Sequence, residues 1–123
     1  RINIDEDEWP DRMAEVRESP GGGMVHAGEM ETAVRLALDP EHVDMSRAAA
    51  DGIQTGSPFT HIDMLGKGSG PGSVGRVRTF EEMSRHGGFG DPTKATADQG
   101  ERFLAVIVES LAEVITDLRA DRL

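Results

Sequence analysis

The sequence predicts a helix-rich unit with a single core, whose longest helix needs a further surface to cover. Apolar residues recur at helical spacing around Met13, around Val34 and most extensively from Phe103 to Leu118. A hydrophobic fraction of 37% and 15 glycines leave much of the remainder as loop. At 123 residues the chain can bury one core, so residues 1–123 are read as one unit.

Ile2 and Ile4 alternate with polar residues and suggest the end of a short strand. Asp5-Glu6-Asp7-Glu8 then gives an acidic helix start, favourable to the macrodipole, and Trp9, Met13 and Val16 mark one face of a helix reaching Ser19. Pro20-Gly21-Gly22-Gly23 ends it. The next helix is expected over 28–38, with Asp39-Pro40 as its stop, while residues 41–50 carry no clear period. Residues 51–75 are rich in Gly, Ser, Pro and Thr, and a connection of that length inside a compact domain suggests a mobile loop or lid. Arg76-Val77-Arg78 suggests a brief strand. Thr79-Phe80-Glu81-Glu82 matches a capping box opening a short helix to Arg85. Asp91-Pro92 fits an N-cap followed by proline at the first helical position. In the last helix Phe103, Ile107, Leu111, Val114, Ile115 and Leu118 form one apolar stripe, with the acidic residues largely on other faces. Such a stripe has to be buried against another layer.

The charge balance, 23 acidic against 13 basic residues for a net of −10, opposes binding to nucleic acid phosphates or an anionic membrane surface. No apolar run approaches the roughly 20 residues that span a bilayer, and no signal-like segment opens the chain. A cytoplasmic protein acting on small molecules, peptides or proteins is the expectation. With no cysteine, disulfides and Cys-ligated metal sites are ruled out.

The segment richest in chemistry is His26-Ala27-Gly28-Glu29-Met30-Glu31-Thr32, which runs directly into a helical pattern. It sets an imidazole just before a helix and two carboxylates on its first turns. His26 is of the residue type that exchanges protons near neutral pH. Glu31 shares a helical face with Val34 and Leu38, so its carboxylate is expected to lean towards the packed side, where it needs a partner. A capping histidine and a salt-bridged helix glutamate would account for the same residues without chemistry. Glu29 is adequately explained as a surface acid in the first turn. Gly21-Gly22-Gly23 ahead of the motif permits close approach of backbone to a ligand, or simply a flexible linker.

The motif resembles the His-Ala-Gly-Glu-x-Glu-Thr signature of the creatininase (creatinine amidohydrolase) family. A second stretch, Gly88-Phe89-Gly90-Asp91-Pro92-Thr93-Lys94-Ala95-Thr96-Ala97-Asp98-Gln99-Gly100-Glu101, is similar to that family's closing motif. The resemblance covers the C-terminal half of such a protein. It implies an α/β layered fold in which helices, supplied here, flank a mainly parallel sheet. It also implies metal-dependent hydrolysis of a non-standard or cyclic C–N amide bond, with His26 assisting proton transfer and Glu31 beside it as the catalytic pair. Glu29, Gly28 and Phe89 follow as substrate-binding residues. The family's Glu-x-His and Gly-His-x-x-Asn-like metal segments have no counterpart here, so no residue of this chain is assigned to metal. A divalent ion, Zn or Mn, is expected in the complete enzyme on ligands from elsewhere.

The chain is therefore expected to be a fragment, a processed product or one subunit of a split enzyme. Its partners would be the N-terminal half or a companion chain, an amide substrate that is a small molecule or peptide, and further copies in a homo-oligomer. Relatives act on creatinine, a formylamino-pyrimidine nucleotide or the C-terminus of a modified peptide. Creatinine fits least, because the tryptophan expected shortly before the histidine is replaced by a Gly-rich stretch and the one Trp is Trp9. The alternative is a non-catalytic C-terminal fragment or assembly subunit.

Lesser candidates carry less. Gly70-Pro71-Gly72-Ser73-Val74-Gly75 fits G-x-G-x-x-G but lacks the βαβ setting of a dinucleotide site. Lys67 is expected to be solvated. His42, His61 and His86 lack zinc-ligand spacing, and His61–Asp63 is read as a surface pair in a loop.

Overall fold

The structure, a computed structural model, describes residues 8–52, 63–65 and 78–122. Among the described residues four α-helices follow one another: α1 Glu8–Val16, α2 Glu29–Leu38, α3 Phe80–Met83 and α4 Ala97–Arg119. Single 3₁₀ turns at Pro40–His42, Met45–Arg47 and Pro92–Lys94 join them. The described residues hold no strand, only two isolated antiparallel bridges, His26 with Phe89 and Asp51 with Gly90. The expected strand at Ile2–Ile4, most of that at Arg76–Arg78, and nearly all of the expected lid over 51–75 lie outside the described residues, as do Lys67, His61 and the Gly70–Gly75 motif.

The core forms where α1 and α2 pack on the first half of α4. Met13, Val16, Met24, Ala33, Leu65, Ala95 and Phe103 are buried together, with Trp9, Met30, Val34 and Val106 packed against them. The apolar spacing of α1 thus appears as expected. Its end does not: α1 stops at Val16, before Ser19, because the amides of Glu18 and Ser19 are taken by the Glu29 carboxylate at 2.6 and 2.9 Å rather than by carbonyls one turn back. The short helix α3 behaves similarly. Thr79 and Glu82 form the expected capping box, but the helix ends at Met83 because Arg85 N–H donates to Asp51 and the amides of His86 and Gly87 donate to Ser84 Oγ.

Helices α2 and α4 cross at van der Waals contact of their backbones. A Cβ on Gly100 would stand 1.9 Å from the Ala33 carbonyl oxygen and 2.9 Å from Ala37 Cβ, so only glycine lets the helices approach this closely. Gly100→Ala gains up to about 1 kcal/mol of helix propensity, but overpacking against backbone costs about 1–3 kcal/mol or more. A net loss of stability is expected, larger for Gly100→Val, and thermal unfolding of the two variants checks it. If Gly100→Ala melts at or above the parent temperature, close approach of α2 and α4 is not what keeps glycine at this position.

The second half of the final helix leaves its apolar stripe uncovered by the described residues. Phe103 is fully buried, yet Leu111, Ile115 and Leu118 of the same stripe are half exposed or more, so the core ends about two turns into α4.

Candidate functional site

Residues 21–29 are held by a clasp built from both sequence motifs. The Gly23 carbonyl accepts from Glu29 N–H at 3.1 Å and Asp91 N–H at 2.9 Å. His26 and Phe89 exchange backbone hydrogen bonds of 2.8 and 2.7 Å, and Gly90 does the same with Asp51 at 2.7 and 3.0 Å. Gly28 lies under this crossing: a Cβ there would meet the Gly23 carbonyl oxygen at 2.3 Å. The clasp also holds Ala27 at φ 49°, a left-handed conformation that disfavours any side chain. Such outliers persist where the surroundings over-determine them, and here they fix the direction in which His26 leaves the backbone.

His26 is exposed, and the Phe80 ring meets its imidazole edge-on, with centroids 5.5 Å apart and planes at 87°. Beside it lies an open cleft of about 270 Å³ lined by His26, Ala27, Glu31, Thr32, Arg35 and Val43. Glu31 is exposed there, not leaning into the packed side as its helical spacing suggests. The reason is that the side of α2 facing α4 is taken by Ala33 and by Glu29, which rotates Glu31 out to solvent. Arg35 lines the same cleft, its guanidinium pairing with Asp39 at 2.6 Å, and Asp39 also bonds His42 at 2.7 Å.

Glu29 is the opposite of the surface acid expected. It is fully buried, and its carboxylate accepts from the Glu18 and Ser19 amides and from Gln99 Nε2 at 2.5 Å. Gln99 Nε2 also reaches the Val16 carbonyl at 3.0 Å. One carboxylate thereby joins the end of α1, the start of α2 and the first turn of α4. Phe89 is likewise buried, with its ring edge near Gly52, and is absent from the lining of the cleft. Of the residues singled out by sequence, then, His26 and Glu31 share a surface, while Glu29, Gly28 and Phe89 form the frame behind it. Phe80 and Arg35 escaped the sequence reading: Phe80 reaches the imidazole from more than fifty residues away in the chain, and Arg35 reads as an ordinary helix cation.

Asp63 is not a surface loop residue either. Its carboxylate holds Arg17 through both oxygens, at 3.0 and 2.6 Å, and accepts from Gly22 N–H at 2.6 Å and Leu65 N–H at 3.0 Å. Burial pushes this carboxyl up, but the Arg17 guanidinium and the two amides outweigh it and hold it below its ordinary value of 3.8. A depressed folded-state value means that the stabilisation is complete above the unfolded value of about 3.9 and is lost as pH falls through the lower folded one. Urea midpoints are therefore expected to drop on acidification below pH ~4, and Asp63→Asn should flatten that part of the acid limb. An unchanged acid limb in the variant would remove Asp63 from the account.

Among the described residues no three His, Cys, Asp or Glu side chains converge to hold a metal ion. His26 and Glu31 supply two donors, and Arg35 in the same cleft opposes a cation there. The described residues therefore do not fit a self-contained metal site. No helix among them is long and apolar enough to cross a membrane.

No curated protein matches the chain. A crystal structure from Bacteroides fragilis NCTC 9343, of a protein provisionally described as a creatinine amidohydrolase, superposes with a TM-score of 0.63 at 27% identity. The match takes in 89% of this chain and 40% of that one, so this chain spans well under half the length of that protein. The creatininase (creatinine amidohydrolase) profile matches residues 3–115, nearly the whole sequence, and the chain belongs to the creatininase family.

Proposed function

We propose that this chain is the helix-rich part of a metal-dependent amidohydrolase that cleaves a non-standard or cyclic C–N amide bond, working with a half of the fold that lies outside it. The observation that carries this is the cleft where His26 and Glu31 stand together, both open to solvent, while Gly28, Glu29 and Phe89 form the frame behind them. Amide cleavage stalls at the nitrogen, which leaves readily only as a protonated amine. An imidazole fixed at a cleft wall can accept a proton from the attacking water and return it to that nitrogen. Glu31 would orient the imidazole or the leaving group, and Arg35 would meet an acceptor oxygen on the substrate. The Phe80 ring packs at right angles to the His26 ring, with centroids 5.5 Å apart. Ligands for the Zn or Mn ion belong to the other half in this reading. A homo-oligomer and a cytoplasmic setting remain part of the proposal.

The test is direct. The chain, assembled with its complementary half, is supplied with Zn²⁺ or Mn²⁺ and offered cyclic amides, formamides and peptides, and amine release is followed by mass spectrometry. Release from one of these classes is expected. Assembly without hydrolysis of any class would favour the second reading, a non-catalytic assembly subunit.

A further inference from the structure

Helix α4 changes from a core element to a surface element along its length. Phe103 is buried, whereas Val108, Leu111, Ile115 and Leu118 are 60%, 56%, 50% and 58% exposed. Their steps of three, four and three residues put them on one face. With Val114 on one flank and Ala112 on the other, the apolar arc takes in nearly half the circumference of the helix, at about 100° per residue. Where α4 passes α1, the arc runs into a groove of about 370 Å³ between the two helices, lined chiefly by Trp9, Ile107, Leu111 and Val114. The Arg12–Glu109 ion pair ties α1 to α4 at this groove.

We infer that this arc and groove are the docking surface for the part of the family's fold that this chain does not contain, the polypeptide equivalent to the portion of the Bacteroides fragilis protein without counterpart here. The inference rests on the proposed function in one respect, that the chain works with a complementary half, and it names the surface that joins them. Two observations select this occupant. The shared fold accounts for 89% of this chain but 40% of the other, so most of that protein must meet this portion somewhere. The arc is also broad. A two-stranded helix pairing buries a narrow seam, whereas an arc of this width is covered by a broad apolar layer such as the face of a sheet. A second copy of this chain, with net charge −10, is the poorer fit.

The experiment uses that uncovered portion of the Bacteroides fragilis protein, produced as a separate chain, as the probe. Isothermal titration and sedimentation of the wild-type chain with it should show a 1:1 complex. Leu111→Asp combined with Ile115→Asp should weaken binding by about 10²-fold while leaving the far-UV circular dichroism of the chain alone close to wild type, because both side chains are at least half exposed. Wild-type affinity in the double variant overturns the inference, as does failure of the wild-type chain to bind the probe. A wild-type chain that sediments alone as a dimer, and that the double variant renders monomeric, assigns the face to a second copy instead. Binding is read without catalysis: a complex that depends on the arc yet hydrolyses no amide leaves the docking surface standing and removes the proposed function.

Discussion

Glu29→Ala should be among the most destabilising single substitutions in the chain, costing about 3 kcal/mol or more, because several buried hydrogen bonds are lost together. The carboxylate is fully buried and is the acceptor for the Glu18 and Ser19 amides and for the Gln99 side chain. Alanine would leave the buried Ser19 amide without an acceptor and Gln99 Nε2 with the Val16 carbonyl alone, and each unsatisfied buried group costs about 1–3 kcal/mol. Glu29→Gln keeps the shape but turns an NH₂ towards at least one N–H donor, so an intermediate loss is expected. Urea unfolding followed by far-UV circular dichroism measures both. A loss below about 1 kcal/mol for Glu29→Ala would mean that the ends of α1 and α4 are held by something other than this side chain. Gln99 offers a further check: Gln99→Ala and Glu29→Ala touch the same hydrogen bonds, so their effects should be markedly less than additive.

His26→Ala should lower kcat of the assembled enzyme by about 10²-fold or more, the usual scale for a positioned acid–base group, equivalent to about 2.7 kcal/mol of barrier. Stability should barely change. The ring is exposed, its aromatic contact is with the Phe80 ring, and the hydrogen bonds of His26 with Phe89 are made by backbone atoms that alanine keeps. This separation of activity from folding is what Glu29 should not show, and the two variants together tell the cleft from its frame. Glu31→Gln should also reduce turnover with little effect on folding, since that carboxylate faces solvent at the cleft. Turnover near wild type in His26→Ala, on the substrate that the parent cleaves, would take the proton-transfer role away from this residue.

Punctuation in the chain was legible because it is local chemistry. Asp39-Pro40 stops α2, the Thr79–Glu82 box opens α3, and Asp91 caps Pro92–Lys94 with its carboxylate accepting from Thr93 N–H at 3.0 Å. Each depends on neighbours within four residues, so sequence spacing is sufficient. The ends of α1 and α3 were misjudged for the converse reason. Their closing amides are captured by Glu29, Asp51 and Ser84, and for Glu29 and Asp51 the capture comes from distant parts of the chain.

The roles of the two motif carboxylates divide along the same line. Residue types and order alone pointed to the family and to His26 as the chemical group, since an imidazole before a helix of this signature keeps its meaning wherever the helix lies. Which of Glu29 and Glu31 faces the cleft could not be settled from α2 alone. Glu31 shares a face with Val34 and Leu38 by helical periodicity, but periodicity fixes relative angles and not the direction in which a face points. That direction is set by α4, whose Gly100 admits the Ala33 backbone and whose Gln99 reaches Glu29, so that Glu29 is drawn inward and Glu31 is left at the surface. The stripe of α4 shows the same limit: the sequence determined that it is apolar and requires a covering layer, and only the tertiary structure decided that α1 and α2 cover its first turns and leave the rest bare.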